Sequence, residues 1–225
     1  MSSPPNASPS SREKILEVAE AHFARRGFSG VGLREVAAAA GLGKSSLFHH
    51  FEGKAQLYFE VLERVLARIQ ERLEPALARA GAPFERLEGW VDALIDALAE
   101  HPASARLLLR GLVEDEDFPD EPLPAAQRAE QLLADILQGI HGLLRDGIEQ
   151  GAFRSVSVPH TVQTLIGATV YHFASGELGE SIMGRPLLSS EAVRRRKQEL
   201  RQLLQQGLAA QTADPAPGRN RTWTS

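Results

Sequence analysis

The chain has 225 residues and carries 25 Lys or Arg against 29 Asp or Glu, a formal net charge of −4. That length suffices for two domains with separate cores, and no apolar run reaches the roughly 18 residues of a membrane span. The chain has no cysteine, which excludes disulfides, thiol catalysis and cysteine metal sites. The N-terminal MSSPPNASPS lacks the basic and apolar parts of a secretory signal, so we expect a cytoplasmic protein.

The first predicted helix begins near Ser10. Residues 1–9 are rich in Ser and Pro and are predicted to form a disordered tail. Ser10 and Glu13 have the spacing of a capping box, in which each side chain accepts a hydrogen bond from the other's backbone amide. Gly27 is expected to close this helix. Its predicted inward stripe consists of Ile15, Ala19, His22 and Phe23.

Residues 31–54, VGLREVAAAAGLGKSSLFHHFEGK, have the pattern of a helix-turn-helix. Leu33, Val36 and Ala37 recur at helical spacing and give a first short helix one apolar face. Gly41 follows where a helix ends in a left-handed residue, a conformation that glycine adopts without steric strain. The chain is therefore predicted to turn sharply at Gly41.

The second helix of this motif is predicted to begin near Lys44. Leu47 and Phe51 are four residues apart, so they share one face and point inward. In a helix-turn-helix the second helix enters the major groove, where a lysine suits a guanine edge, serine hydroxyls donate or accept, and an aromatic ring meets a thymine methyl group. The predicted outward positions are Lys44, Ser45, Phe48 and His49, with Ser46 and His50 at the margins.

Two further basic residues extend this surface. Lys54, beside Gly53 at the start of the next helix, can combine its charge with backbone amides to bind a phosphate. Arg34 lies in the first turn of the first motif helix, within reach of flanking backbone or a base edge. Residues 1–58 contain seven Lys or Arg against five Asp or Glu, whereas the remainder contains 18 against 24. A basic head on an acidic body predicts DNA binding that weakens as salt rises.

Helical stripes continue through the rest of the chain, and no strand-like alternation or internal repeat competes with an all-α fold. A long fourth helix from Lys54 is predicted to kink or end at Pro75. Gly139, Gly142 and Gly147 lie inside a later helix and suggest a close neighbour or a ligand where side chains would not fit. Beyond the fourth helix, predicted helices span about 84–101, 103–113, 125–150 and 159–173, and a last helix begins at Ser189 or Ser190. An acidic loop is predicted between 113 and 125, and a disordered tail over 212–225.

These motifs together resemble the TetR family of transcriptional regulators. The match runs from about Ser10 through Phe59, with FARRGF at 23–28 and REVAAAAGLGKSSLFHHF at 34–51. Beyond Phe59, the local segment GIEQGAFR at 147–154 also resembles the family. The resemblance implies a three-helix DNA-binding domain, residues 10–58, and a helical ligand-binding and dimerisation domain, residues 59–211. It implies a homodimer through the last two helices that binds a pseudo-palindromic operator in double-stranded DNA. An unidentified small-molecule effector would release this repressor, and no cofactor is predicted.

Two positions depart from the family pattern. Gly32 stands where a Ser or Thr usually caps the first motif helix, so the hydroxyl half of a capping box is missing. Phe48 stands where Tyr is common, which leaves only an apolar contact. The resemblance also places His50 at a phosphate. The predicted DNA-binding residues are Arg34, Lys44, Ser45, Ser46, Phe48, His49, His50 and Lys54.

Large rings with a few polar tips predict the lining of an effector pocket. Tyr171 and His172 are favoured, because a buried phenol or imidazole needs a partner that an effector could provide. Arg106 is a weaker candidate, for pairing with an anionic effector. Core packing is the alternative for each ring, and a surface salt bridge is the alternative for Arg106. The candidates are Trp90, Arg106, Phe118, His141, Tyr171, His172 and Phe173.

Other interpretations are less favoured. Adjacent His49 and His50 point in different directions on a helix, which disfavours a metal site. The acidic run 114–121 is interpreted as a solvated loop and the RRRK run at 194–197 as a solvated or intersubunit face. A metal-dependent hydrolase would need paired carboxylates, a phosphate loop or a nucleophile motif, and none is present. A DNA-binding regulator whose helical body is a protein-interaction module remains the main alternative.

Overall fold

Ten helices and their connections make up the described part of the computed structural model, which covers residues 10–113, 118 and 123–210. Within these residues the only β pairing is an isolated bridge between Phe153 and Ala209. The all-α prediction is confirmed, while the predicted tails and most of the acidic loop lie outside the described residues. The helices are α1 (Ser11–Arg26), α2 (Leu33–Ala39), α3 (Lys44–His50), α4 (Lys54–Ala78), α5 (Pro83–Glu100), α6 (Pro102–Val113), α7 (Pro124–Glu149), α8 (Val158–Ala174), α9 (Gly176–Met183) and α10 (Ser190–Leu208).

The start of α1 is fixed by the predicted capping box. The Glu13 amide donates to Ser10 Oγ at 3.2 Å, and the Ser10 amide donates to Glu13 Oε2 at 2.9 Å. Gly27 ends the helix with φ of 71°. The inward assignment of His22 is wrong, because its half-buried ring lies at the edge, with Nδ1 2.7 Å from Arg26 Nη2. The buried stripe comprises Ile15, Ala19 and Phe23.

Helix α4 crosses the predicted domain boundary without interruption. Helix α4 continues past Pro75 to Ala78, so the prediction that the helix ends at this proline is wrong. Proline removes one amide donor, but only three residues follow it in the helix, and buried Leu73 anchors this end in the core. Helix α4 packs mainly against α7 and α5 and so forms the centre of the body.

Two of the three glycines in α7 stand where a neighbour comes close. A Cβ at Gly139 would lie 2.6 Å from Leu77 Cδ1, and one at Gly147 would lie 2.2 Å from the Phe153 ring. The prediction of a close neighbour is confirmed at both positions. At Gly142 a Cβ would meet nothing within 4 Å in the described part of the chain, so no close neighbour among these residues accounts for that glycine.

A short helix, α9, was not predicted from the sequence. It lies between left-handed Gly176 and Gly184. Leu178 and Ile182 of this helix are 60% and 69% exposed, so α9 does not turn its apolar face into the body. Helix α10 then begins as predicted, with the Ala192 amide donating to Ser189 Oγ at 3.2 Å.

A buried polar network joins α1 to α4 and α6. Arg68 Nη2 donates to Glu20 Oε1 at 2.8 Å and to Ser104 Oγ at 2.7 Å. Ser104 Oγ in turn donates to the same Glu20 oxygen at 2.9 Å. Glu20 and Ser104 are buried, so the three groups satisfy one another where water has little access. The helix-turn-helix head is therefore attached to the body by specific bonds as well as by the shared helix α4.

Candidate DNA interface and effector cavity

The turn between α2 and α3 has the geometry that the sequence predicted. Gly41 has φ of 71°, and its amide donates to the Ala38 carbonyl at 3.0 Å. The Leu42 amide donates to the Ala37 carbonyl at 2.9 Å, and the Leu42 side chain packs against the core. A residue with a Cβ would be strained at that φ, so Gly41 allows the sharp change of direction between the two helices.

Helix α3 turns one face into the protein and the opposite face outward. Leu47 and Phe51 are 0% and 1% exposed. Their burial fixes the rotation of α3 about its axis, as predicted. The outward residues Lys44, Ser45, Phe48 and His49 are exposed, and Ser46 and His50 are intermediate.

The exposed face of α3 joins basic and aromatic groups. Lys44 Nζ lies 5.3 Å from the centroid of the Phe48 ring, and the His49 and His50 rings are 5.4 Å apart. Phe48 is 43% exposed. A solvent-exposed phenylalanine on a helix held by two buried neighbours is available for an apolar contact with a partner.

Glycines precede both α3 and α4. Gly43 and Gly53 are extended and provide no side-chain cap, so neither first turn has a side-chain acceptor from its N-cap residue. Such helix starts favour anions. At the start of α4, Lys54 Nζ lies 4.4 Å from the centroid of the Phe28 ring and 3.5 Å from the Ser29 carbonyl. These contacts keep the ammonium group beside the start of α4.

A surface ion pair replaces the missing capping box at α2. Gly32 makes no side-chain cap, and Glu35 instead accepts a bond from Arg26 Nη2 at 2.7 Å. That hydrogen bond, more than any other influence, lowers the pKa of Glu35. Arg34 lies in the same first turn and is exposed.

The body contains an apolar cavity of about 240 Å³ that is bounded by five helices. Buried Trp90 forms part of its wall, and the exposed side chains of Glu130 and Leu133 lie where the cavity meets the surface. The described lining residues are Phe59, Leu62, Leu66 and Ile69 of α4, Trp90 and Leu94 of α5, Leu108 and Gly111 of α6, Ala126, Ala129, Glu130, Leu133 and Ile136 of α7, and Ile166 and Val170 of α8.

Two family models match this arrangement, one for each half of the fold. Residues 15–61 match the model of bacterial regulatory proteins of the tetR family. Residues 83–204 match the model of the tetracyclin repressor-like C-terminal domain. The chain belongs to the TetR family. This membership accounts for both the helix-turn-helix head and the helical body, and it favours the regulator hypothesis over a hydrolase.

Relatives of this TetR protein include a repressor and structures with the same fold. The chain is 30% identical over 152 residues to the HTH-type transcriptional repressor KstR2 of Mycolicibacterium smegmatis, covering 67% of this chain and 71% of the relative. The structure of the ketosteroid transcriptional regulator KstR2 of Mycobacterium tuberculosis superposes with a TM-score of 0.69 at 22% identity, covering 90% of this chain and 96% of that one. AibR, solved in complex with isovaleryl coenzyme A and operator DNA, superposes with a TM-score of 0.69 at 16% identity, covering 86% and 97%.

The seven predicted effector residues do not come together in this TetR protein. Of these, only Trp90 lies among the cavity-lining residues identified above. Phe118 instead packs in an aromatic cluster, with its ring centroid 4.8 Å from those of Phe28 and Phe59. Phe59 also lines the cavity, so it connects that cluster to the cavity wall.

The remaining candidates lie elsewhere in the body. Phe173 is buried in the core, and Tyr171 is 52% exposed. Exposed Arg106 lies against Gly176. His141 lines a separate surface depression beside Gln138 and Arg145. The cavity-lining leucines and isoleucines were missed as site residues, although the wide apolar stripes of α4 and α7 are the signal that could have identified them.

His172 faces a second depression, between α8, α9 and α10. This depression has a volume of about 330 Å³ and is also lined by Met183, Leu187 and Arg196. Burial, and secondly the charge of Arg196, lower the pKa of His172 to about 4, so its imidazole is neutral at pH 7. Neither His172 Nε2 nor Arg196 Nε has a hydrogen-bond partner among the described residues.

In the basic run at 194–197, predicted to be a solvated or intersubunit face, Arg194 and Arg195 are exposed, whereas Arg196 and Lys197 are half-buried. Arg196 donates to the Ala168 carbonyl at 3.0 Å, and Lys197 Nζ pairs with Asp96 at 2.7 Å. These bonds connect α10 to α8 and α5.

In the described part of the chain, no group of three His, Asp or Glu side chains could hold a metal ion. Within the same residues, no helix has both the length and the apolar character to cross a membrane.

Proposed function

We propose that this TetR protein is a cytoplasmic repressor that binds a specific operator and is released from it by a small-molecule effector. The observation that carries the proposal is the exposed face of α3, held outward by buried Leu47 and Phe51. The resemblance to KstR2 of M. smegmatis, a transcriptional repressor, supports the sign of regulation.

The residues of the head divide by the part of DNA that they would contact. Lys44 and Ser45 at the start of α3, together with Phe48 and His49, are assigned to base edges in the major groove. The amides at the starts of α3 and α4 are assigned to phosphates, which position the head without selecting sequence. The side chains assigned to the DNA backbone are Arg34, Ser46, His50 and Lys54.

Helix α4 would connect effector binding to DNA binding. Its first residue, Lys54, is assigned to a phosphate, and the next turns carry Phe59, Leu62 and Leu66 into the cavity wall. The network of Glu20, Arg68 and Ser104 attaches α1 to α4 and α6, so a displacement of these body helices would move the head with them. An effector can shift the heads only by binding one arrangement more tightly than the other.

A homodimer would present two heads to one pseudo-palindromic operator. Exposed apolar side chains concentrate on α8, on α9 with the segment that follows it, and on α10. In addition, Arg196 of α10 donates a hydrogen bond to the Ala168 carbonyl of α8, which connects these two helices. The six side chains are Tyr171, Leu178, Ile182, Met183, Leu188 and Leu203. Exposed apolar side chains of this number are typical of a protein interface, and we assign them to contact with the second copy of the chain.

A gel-shift titration on the DNA upstream of its own gene tests the proposal. The expected result is a retarded complex that competitor DNA of unrelated sequence does not displace, with affinity that falls as salt rises. An α3 variant, Phe48→Ala, should lose preference for the specific fragment while it keeps the salt-dependent nonspecific complex. Equal affinity of the wild-type protein for specific and unrelated fragments would contradict the proposal.

A further inference from the structure

The apolar cavity is small and holds no positive charge. At about 240 Å³, it has room for about ten carbon atoms, judged from a cavity of about 150 Å³ that accommodates benzene. No Lys, Arg or His occurs among the described residues that line it, and Glu130, its one carboxylate, is exposed at the edge. A carboxylate or phosphate inside would lose its hydration without gaining a counter-ion.

One polar group in the cavity wall is unsatisfied. Trp90 is 0% exposed, and its Nε1 has no hydrogen-bond partner among the described residues. Buried indole N–H groups usually find an acceptor. The Leu94, Ile166 and Val170 side chains of the same wall contain no acceptor. An occupant with an oxygen near this nitrogen would therefore satisfy a donor that is otherwise buried without a partner.

We propose that the effector is an uncharged, elongated apolar compound of about ten carbon atoms whose carbonyl or ether oxygen accepts a hydrogen bond from Trp90 Nε1. The apolar part fills the space between α4 and α7, and the oxygen lies at the wall formed by α5. This assignment rests on the proposed effector-controlled function and specifies the chemistry of its site.

A pair of isosteric probes separates the hydrogen bond from apolar burial. The probes are 2-nonanone and 2-methyl-1-nonene, in which a CH2 group replaces the carbonyl oxygen. Their dissociation constants are measured by isothermal titration calorimetry on the wild type and on Trp90→Phe, which keeps an aromatic ring without the N–H. Phe59→Leu is the matched control, because it reshapes the same wall without removing a donor.

The ratio of the two dissociation constants cancels the different water solubilities when it is compared between proteins. We expect the wild-type preference for the ketone to fall about tenfold in Trp90→Phe, the value of one net hydrogen bond. The preference should be unchanged in Phe59→Leu. Nonanoate should bind more weakly than the ketone.

Three results would overturn the assignment: an equal ketone preference in wild type and Trp90→Phe, no binding of either probe, or tighter binding of nonanoate than of 2-nonanone. Operator binding is measured separately without any probe. If DNA binding fails while the ketone preference is as expected, the regulator proposal fails and the cavity assignment stands. If DNA binding is as expected while the ketone preference is not, the cavity assignment fails and the regulator proposal stands.

Discussion

Alanine substitutions at two glycines of α7 should have opposite effects on stability. A Cβ at Gly142 would meet nothing within 4 Å, whereas one at Gly147 would lie 2.2 Å from two atoms of the Phe153 ring. Both glycines are inside the same helix, so alanine gains about 1 kcal/mol of helix propensity at either position. Only the contact with Phe153 distinguishes them.

The Phe153 ring has little room to retreat from a new methyl group. It is 2% exposed and makes an edge contact with Phe84 at 4.7 Å. Its backbone is held by a bond from the Phe153 amide to the Gly147 carbonyl at 3.0 Å, and the next residue, Arg154, bonds to the Leu208 carbonyl at 2.9 Å. Since carbon atoms pack best at about 3.5–4.0 Å, the ring or the helix must move by more than about 1 Å. Overpacking of this kind costs about 1–3 kcal/mol.

Gly142→Ala should therefore raise the free energy of unfolding by about 1 kcal/mol relative to the wild type. The free energy of unfolding of Gly147→Ala should be about 1–3 kcal/mol lower than that of Gly142→Ala. For a chain of this size, 1 kcal/mol corresponds to about 2–4 °C in Tm. Thermal unfolding of both variants and the wild type, followed by circular dichroism at one protein concentration, measures the difference. Equal Tm values for the two variants would show that Phe153 is not held against α7 as described.

Three further predictions concern DNA, dimerisation and pH. Lys44→Ala should weaken specific DNA binding by about 1–3 kcal/mol if Lys44 contacts a base. Lys54→Ala should weaken DNA binding evenly across sequences, and it should reduce the slope of log affinity against log salt concentration by about one unit per phosphate contact. Gel shifts at several salt concentrations measure both, and an unchanged slope for Lys54→Ala would count against its phosphate role. Ile182→Glu, which places a charge on the exposed apolar surface, should shift the protein to monomer in sedimentation velocity; an unaltered dimer would exclude α9 from the interface. Burial lowers the pKa of His172 to about 4 in the folded protein. Below about pH 6.5 the unfolded state therefore takes up a proton at this residue while the folded state does not. The contribution of His172 to the free energy of unfolding is full above that pH and falls toward pH 4 by at most about 1.4 kcal/mol per pH unit. Between pH 6.5 and 4, the free energy of unfolding measured in urea should fall less steeply for His172→Gln than for the wild type. If the free energies of the two proteins change in parallel with pH, the assigned burial of His172 is contradicted.

The DNA-binding head was predictable because its determinants are local. Leu47 and Phe51 are spaced four residues apart, so the sequence alone determines which face of α3 is buried and which residues point outward. Gly41 likewise has its left-handed conformation because of the turn between two adjacent helices. Neither inference requires knowledge of distant segments.

The body was harder to predict because helical periodicity gives the inward face of each helix but not its neighbours. Tyr171 and His172 have the chemistry of pocket residues, yet Tyr171 is exposed and His172 faces the depression beside α10. Trp90 was identified as a candidate, but its unsatisfied nitrogen becomes visible only when the surrounding side chains are in place.

Apart from α9, the amino-acid order by itself determined the helices, the turn at Gly41 and the outward face of α3, since hydrogen bonds and side-chain spacing within a few residues decide them. The tertiary structure alone decided that α4 to α8 enclose a cavity, that Gly147 is closed off by Phe153, and that α9 adds exposed apolar residues beside α8 and α10. Those features depend on contacts between segments far apart in the chain, where the volume left between packed helices, and not the periodicity of any one of them, determines what can bind.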